Sequence, residues 1–135
     1  MNAKPFLDTN VVLYAFRQGD SRSQKAEALL AEGGAISVQV LNEFVAVARR
    51  KLNQSWDEVR HALGILHVFF SEPTPVTVKT HDTAISIAER YKYSIYDALI
   101  LASALETGCN VVYSEGLQDG HVIERSLTIR NPFRS

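Results

Sequence analysis

Five acidic residues stand at positions where carboxylates are unusual, and they are the residues of this chain best suited to chemistry. Each follows a short apolar segment or lies in the first turns of an apolar helical segment: Asp8, Glu43, Asp97, Glu115 and Asp119. In a parallel α/β sheet the carboxyl ends of the strands meet at one edge, where ligands bind. We therefore expect these acids to gather at that edge.

Carboxylates brought together in this way would need a cation. They repel one another, and burying them without compensation is unfavourable. Mg²⁺ and Mn²⁺ prefer oxygen ligands, whereas this chain has a single cysteine and no histidine paired with an acid at a metal-ligand spacing. Mg²⁺ held by carboxylates activates water and neutralises charge on phosphoryl oxygens. The acids thus predict a magnesium site that acts on phosphate esters.

Each acid also has a purely structural explanation. Asp8 is suited to capping a helix or closing a turn, and Glu43 could be a solvated residue favoured by the helix dipole. Asp97 lies three residues after Ser94, which is the spacing of a capping box. The two late acids lie in a polar loop, where acids are common. Only the joint placement of the acids favours the metal site.

Small polar residues accompany the acids. Thr9, Asn10 and Ser114 are suited to orienting a carboxylate or holding a metal-bound water. The alternative is that Thr9 and Asn10 cap the helix that follows. We place these three residues, with Glu115, in a supporting shell around the metal ligands.

Hydrophobic periodicity predicts the elements that would position these residues. Helical spacing indicates helices over Ser23–Glu32, Val40–Leu52, a segment opened by a Ser55–Glu58 capping box, Thr80–Tyr91 and an apolar Ile95–Leu105. Short apolar runs predict strands at Pro5–Asp8, Ala35–Val38, Val76–Val78, Asn110–Ser114 and Ser126–Ile129. Periodicity leaves Val11–Phe16 ambiguous. The alternation predicts an α/β fold of three layers, with a parallel sheet of about four or five strands flanked by helices.

Length and composition restrict the class of protein. The chain has 135 residues, enough for one domain with a substantial core. No apolar run approaches the roughly 18 residues of a membrane-spanning helix. Cys109 stands alone, so an intramolecular disulfide is excluded and a reducing cytoplasm is expected. The formal net charge of -1 excludes extensive, non-specific coating of nucleic acid, although it is compatible with an RNA substrate.

The chain resembles the PIN-domain ribonucleases, in particular the VapC-like toxins of bacterial toxin–antitoxin pairs. Four segments carry the resemblance, which extends over nearly the whole chain: Phe6–Asn10, Asn42–Phe44, Tyr96–Ile100 and Tyr113–Gly120. The resemblance implies a single PIN-like domain over residues 1–135 and a helix at Val11–Phe16. It also implies that Asp8, Glu43 and Asp97 bind Mg²⁺ or Mn²⁺ for endonucleolytic cleavage of RNA. A cognate antitoxin and a homodimer are the partners it implies.

One position departs from the family pattern. The late loop usually offers an aspartate two residues after the Ser or Thr, and here that position is Gly116. Either Glu115 or Asp119 could supply the missing carboxylate, or the site operates with three acids. We favour Asp119, because it can reach back across a short loop bounded by glycines.

The predicted function is therefore that of a metal-dependent endoribonuclease toxin in the cytoplasm. The first alternative is a degenerate, non-catalytic domain that binds a protein partner or RNA, and Gly116 is the feature that favours it. A second is a phosphotransfer domain of the receiver or haloacid-dehalogenase kind, but Asn10 stands where the latter needs a second aspartate.

Basic residues in local groups are the candidates for contacts with RNA. They are Arg49, Arg50 and Lys51, then Lys79 with His81, and Arg90 with Lys92. Each group also suits a solvated helix end. Trp56 could contact the antitoxin, although a packing role is the expectation that we favour.

Overall fold

Within residues 4–134, which a computed structural model describes, the chain forms six helices and four short strands. Residues 1–3 and 135 of the expected domain lie outside the described part. The helices are α1 (Thr9–Ala15), α2 (Ser23–Glu32), α3 (Val38–Arg50), α4 (Trp56–Phe69), α5 (Val78–Tyr91) and α6 (Ile95–Glu106). The strands are β1 (Phe6–Leu7), β2 (Val111–Tyr113), β3 (Val122–Ile123) and β4 (Leu127–Arg130).

The four strands form one sheet in the order β1-β2-β4-β3. β1 and β4 both pair with β2 in parallel, and β3 pairs with β4 antiparallel. Phe6 and Leu7 are both fully buried, although neighbouring residues of a strand face opposite sides of the sheet. Both faces of β1 are therefore covered, which is the arrangement expected for a parallel sheet. The predicted α/β class is confirmed, whereas the antiparallel β3 was not predicted.

The predicted strand Ala35–Val38 is reduced to isolated bridges. Ala35 pairs with Phe6 and Ser37 with Thr74, so this segment continues the sheet beyond β1 without forming a regular strand. α3 already begins at Val38, because the Ser37 hydroxyl accepts a hydrogen bond from the Val40 N–H (3.3 Å) and caps the helix. The prediction was wrong because the capping serine lies inside the apolar run.

The predicted strand Val76–Val78 is wrong for the same reason. Thr77 is the N-cap of α5, and its hydroxyl accepts from the Thr80 N–H at 3.2 Å. The Thr80 hydroxyl in turn accepts from the Thr77 N–H (3.1 Å), so a capping box built from two threonines begins the helix. The apolar residues on either side of Thr77 had suggested a strand.

The predicted helices are confirmed in number and place. α2 has the predicted bounds, and the Ser55–Glu58 capping box begins α4. α1 resolves the ambiguous Val11–Phe16 segment as a helix. α6 is the internal helix that its composition indicated, with every residue from 98 to 104 buried. No helix within residues 4–134 is long and apolar enough to cross a lipid bilayer.

Gly34 allows the chain after α2 to lie directly against β1. A Cβ atom at this position would stand 2.9 Å from the carbonyl oxygen of Pro5, which is closer than packing permits. The close approach lets the Leu7 N–H donate to the carbonyl oxygen of Ala35 (2.9 Å). It fixes the start of α3, and hence the place of Glu43, relative to the end of β1.

Candidate functional site

Three of the predicted acids line one cleft beside the end of β1. The cleft has a volume of about 330 Å³ and is lined by Asp8, Thr9, Asn10, Leu13, Glu43, Ala46, Val47, Asp97 and Gly116. Asp8 follows β1, Glu43 lies in α3 and Asp97 lies in the first turn of α6. Residues separated by up to 89 positions in the sequence thus reach one surface, as the sequence predicted for these three acids.

Asp8 is the most constrained of the three acids. It is the N-cap of α1, where Oδ1 accepts from the Thr9 N–H (2.7 Å) while Oδ2 accepts from the Ser114 hydroxyl (2.7 Å). Only 6% of the residue is exposed, and burial raises the pKa of its carboxyl from 3.8 to about 6. The negative charges of Glu43 and Asp97 raise this pKa further, against the lowering effect of the two hydrogen bonds. The capping role and the cleft-lining role therefore coexist at Asp8.

Glu43 is tied to the same region through Thr9. The Thr9 hydroxyl donates to Glu43 Oε1 (2.6 Å), and Gln39 Nε2, one turn earlier on α3, donates to Oε2 (3.2 Å). Thr9 thus contacts Asp8 with its backbone and Glu43 with its side chain. Thr9 therefore links the carboxylates of Asp8 and Glu43 through one residue.

Asp97 separates its two expected roles between backbone and side chain. Its N–H donates to the Ser94 hydroxyl (3.1 Å), which caps α6, while its carboxylate lines the cleft. Burial raises the pKa of this carboxyl, and a hydrogen bond between the carboxyl and the Ser94 side chain partly offsets the rise. The structural role of the segment leaves the carboxylate available for chemistry.

The donor set of the cleft suits a hard divalent cation. Its polar lining consists of carboxylate, hydroxyl and amide groups, without histidine or cysteine. The charges of Glu43 and Asp97 disfavour ionisation of Asp8, and a cation would remove that penalty. In residues 4–134, however, no three His, Cys, Asp or Glu side chains lie close enough together to hold a metal ion. The donor chemistry fits, and binding would require the acidic side chains to move closer to one another.

A family model for the PIN domain matches residues 6–117, which include the three cleft-lining acids. The chain belongs to the PIN domain family. A search of curated proteins finds no match.

Solved structures of toxins share the fold of this PIN domain. VapC20 of Mycobacterium tuberculosis, described as a sarcin–ricin loop cleaving toxin, has a TM-score of 0.64 and 25% identity, over 81% of this chain and 87% of that chain. A toxin–antitoxin complex from Klebsiella pneumoniae has a TM-score of 0.73 and 19% identity, over 97% of this chain and 99% of that chain. VapBC2 of Rickettsia felis, solved with a DNA fragment from its promoter, has a TM-score of 0.67 and 21% identity, over 93% of this chain and 96% of that chain. At these identities the last two similarities establish the fold alone.

The structure does not bring Asp119 into the cleft of the PIN domain. Its Oδ1 accepts from the Asn131 N–H (2.9 Å), and its Oδ2 pairs with Arg134 (3.3 Å). Both contacts lie in the C-terminal segment, so Asp119 holds that segment to the loop after β2. The expectation that Asp119 replaces the missing aspartate therefore has no support from its placement.

Glu115 is also directed elsewhere. Its carboxylate accepts from the Tyr14 hydroxyl and pairs with Arg22 (2.9 Å). These contacts hold the pKa of Glu115 below its usual range, the Tyr14 hydrogen bond being the largest cause. Arg22 also pairs with Asp20 (2.9 Å) and lies 4.0 Å from the centroid of the Tyr14 ring. Tyr14 and Arg22 were not among the predicted site residues, because no local spacing links them to Glu115.

Asn10 and Ser114 connect the two loops that border the cleft. Asn10 Oδ1 accepts from the Glu115 N–H (3.1 Å), and its Nδ2 lies 3.5 Å from the Ser114 hydroxyl oxygen. The Ser114 hydroxyl donates to Asp8 and accepts from the Leu117 N–H (3.1 Å). The loop after β2 therefore orients Asp8 through the Ser114 hydroxyl, and Asn10 holds that loop to the start of α1.

Proposed function

We propose that this PIN domain is a metal-dependent endoribonuclease that acts as the toxin of a toxin–antitoxin pair. The observation that carries the proposal is the shared cleft, which three acids from distant segments line and in which Asp8 is buried at a raised pKa. Buried acids with perturbed pKa values are typical of functional sites. The resemblance to an M. tuberculosis toxin that cleaves the sarcin–ricin loop supports RNA as the substrate class.

We assign Asp8, Glu43 and Asp97 as the residues that would hold Mg²⁺ or Mn²⁺. When bound, such an ion supplies activation of a water molecule and neutralisation of negative charge on the phosphoryl oxygens. The protein's part is to bring three carboxylates to one cleft. Thr9 and Ser114 orient two of them, because Thr9 donates a hydrogen bond to Glu43 and Ser114 donates one to Asp8.

Proton transfer from the attacking water is assigned to a carboxylate of the cleft. Neither histidine nor lysine is among the residues that line it. Burial raises the pKa of both the Asp8 and the Asp97 carboxyls, which makes either carboxylate a stronger base than an exposed one. The hydrogen bond that caps α6 comes from the Asp97 N–H, so this cap does not require a charged carboxylate.

The proposed partners are an antitoxin protein and a second copy of the chain. The similar K. pneumoniae and R. felis structures are toxin–antitoxin assemblies. An antitoxin that covers the cleft would keep RNA out of it. We propose a homodimer as the state of the toxin, which size-exclusion chromatography with light scattering on the purified chain can test.

Removal of divalent cations is expected to abolish cleavage. Without a cation the three carboxylates repel the phosphate and leave Asp8 partly protonated. The measurement is gel electrophoresis of total bacterial RNA incubated with the purified protein in Mg²⁺, in Mn²⁺ and in EDTA. Cleavage should return when excess Mg²⁺ is added to the EDTA sample. Cleavage that persists unchanged in EDTA would overturn the metal-dependent mechanism.

A non-catalytic domain that only binds a partner is the second candidate, and Gly116 favours it. The glycine lines the cleft at the position where the family usually has an aspartate. Calorimetric titration with Mg²⁺ distinguishes the candidates, because a non-catalytic domain should bind no ion through its carboxylates. Heat of binding that disappears in the Asp97→Asn variant would support the enzyme.

Gly116→Asp is expected to strengthen Mg²⁺ binding about tenfold, since a further carboxylate raises the charge of the donor set. The site can accept a side chain, because a Cβ there would stand 3.4 Å from Asn10 Nδ2, a contact that a small shift relieves. Calorimetry measures the affinity, and Gly116→Asn is the matched uncharged control. Equal affinities of the aspartate and asparagine variants would contradict the expectation.

A further inference from the structure

A second cleft adjoins the acidic one on α3. It has a volume of about 330 Å³ and is lined by Val45, Ala46, Arg49, Arg50 and Trp56. Ala46 lines both clefts, so the two are neighbours on the surface of α3. The second cleft carries two arginines and an indole, in contrast to the carboxylates of the first.

The course of α3 sets the distance between the clefts. Glu43, Ala46 and Arg50 are spaced three and four residues apart and therefore lie on one face of the helix. With a rise of about 1.5 Å per residue, Arg50 lies about 10 Å along the helix axis from Glu43. That separation places the arginines beside the acids, within reach of a nucleotide that neighbours a bound phosphodiester.

Trp56 is exposed although it is the largest apolar side chain of the chain. It is the first residue of α4, fixed in place by the capping box of Ser55 and Glu58, and 52% of it is exposed. The packing role expected from the sequence accounts for only part of the indole. A rigid aromatic surface of this kind suits stacking with a planar ligand.

Arg49 lies against this aromatic surface. Its guanidinium carbon is 4.5 Å from the centroid of the Trp56 ring, and its Nη1 donates to the carbonyl oxygen of Gln54 (2.8 Å). Within residues 4–134 neither Arg49 nor Arg50 forms an ion pair with a carboxylate. Both positive charges therefore remain available to an anionic ligand.

We propose that this second cleft binds a nucleotide of single-stranded RNA adjacent to the cleaved phosphodiester. The base stacks on the exposed part of the Trp56 indole, which the Arg49 guanidinium does not cover, and Arg50 contacts a phosphate. An unpaired strand is specified, because a base within a duplex cannot reach the indole. The inference rests on the proposed function, since it assigns part of the same RNA substrate to a site outside the acidic cleft.

The test is RNA binding by the full chain in EDTA, where cleavage is absent. The probe is a fluorophore-labelled, single-stranded oligoribonucleotide of mixed sequence, measured by anisotropy. Trp56 is the only tryptophan of the chain, so quenching of its fluorescence reports stacking directly. We expect quenching by the single strand and little by the same strand in a duplex. Trp56→Ala should weaken binding about tenfold or more, whereas Trp56→Phe should retain most of the affinity.

Arg50→Gln gives a second measurement that does not depend on removing the indole. It should make the plot of log affinity against log salt concentration shallower by about 0.7, the change expected when a single strand is bound through one phosphate fewer. Arg60→Gln is the matched control, because Arg60 is an exposed arginine of α4 that pairs with Asp57 outside this cleft. The RNA affinity of the Arg60→Gln variant, and the salt dependence of that affinity, should equal those of the wild type.

Three results would overturn the proposal. The first is unchanged RNA affinity in folded Trp56→Ala and Arg50→Gln variants of a protein that cleaves RNA, which would leave the proposed function intact. The second is equal quenching by a polyglutamate peptide, which would indicate a general anion site. The third is a wild type that neither binds nor cleaves RNA, which would overturn the proposed function as well.

Discussion

Replacing Asp97 with asparagine is expected to reduce RNA cleavage about a thousandfold or more while the fold is retained. Asparagine keeps the shape of the side chain and removes the negative charge that would hold the cation and accept a proton. The hydrogen bond that caps α6 runs from the Asp97 backbone N–H to the Ser94 hydroxyl, so the variant retains this N-cap. Burial disfavours the charged form of Asp97 and raises its pKa, so we expect the neutral asparagine to leave the fold intact.

Single-turnover cleavage of an RNA that the wild type cuts is the appropriate measurement, together with growth of a bacterial host that expresses the variant. Thermal unfolding by circular dichroism establishes that the variant is folded. Asp82→Asn on α5 is the matched control, because that carboxylate is 77% exposed and lies outside the cleft. It should cleave as the wild type does. Undiminished cleavage by a folded Asp97→Asn protein would disprove the assignment of Asp97 to the site.

The helices of this fold could be predicted from the sequence because their signals are local. The Ser55–Glu58 capping box and the stop at Gly33 act within one helical turn, and both elements occur where expected. The strands are shorter than the apolar runs that suggested them, since Ser37 and Thr77 within those runs begin helices instead. β3 has only two residues and pairs with β4 through a tight connection, which leaves no periodic pattern to detect.

The candidate site likewise contains residues that could be predicted from the sequence and one that could not. The sequence could predict that three acids lie at one edge of the sheet, because each stands just after a predicted strand or near the start of a helix. The structure places all three in the lining of one cleft: Asp8, Glu43 and Asp97. Asp119 could not be placed, because its partners Asn131 and Arg134 lie 12 and 15 residues away in an irregular segment. The local sequence does not indicate whether such an acid faces the cleft or the C-terminal segment. Here the contacts of Asp119 with Asn131 and Arg134 direct it toward the C-terminal segment.

Replacing Asp8 with asparagine is expected to stabilise the protein at neutral pH while it removes a proposed metal ligand. The pKa of Asp8 is about 6 in the folded protein, against 3.8 as the usual value that applies to the unfolded chain. Between these two pH values the folded protein retains a proton that the unfolded chain has lost. Stability from this group is therefore fully present below pH 3.8 and is lost as the pH rises through 6.

The size of the effect follows from the same pKa values. A rise from 3.8 to about 6 corresponds to roughly 3 kcal/mol of unfavourable free energy when Asp8 is ionised. Asparagine can still cap α1 by accepting from the Thr9 N–H. The amide nitrogen then faces Ser114 and cannot accept the hydrogen bond that Asp8 Oδ2 accepts, which reduces the gain. We expect Asp8→Asn to raise the free energy of unfolding by about 1 to 3 kcal/mol at about pH 7.5 in EDTA.

Urea denaturation near pH 7.5 and again near pH 4 measures this difference, and most of the gain should be absent at the lower pH. Added Mg²⁺ should raise the melting temperature of the wild type more than that of Asp8→Asn, because binding to the folded state alone stabilises it. Asp82→Asn, which replaces an exposed acid, should change neither the free energy of unfolding nor the shift of the melting temperature by Mg²⁺. A variant that is less stable than the wild type at both pH values would show that Asp8 is kept for its hydrogen bonds. A variant that gains stability and loses Mg²⁺ binding would show that this buried charge is retained for function at the expense of stability.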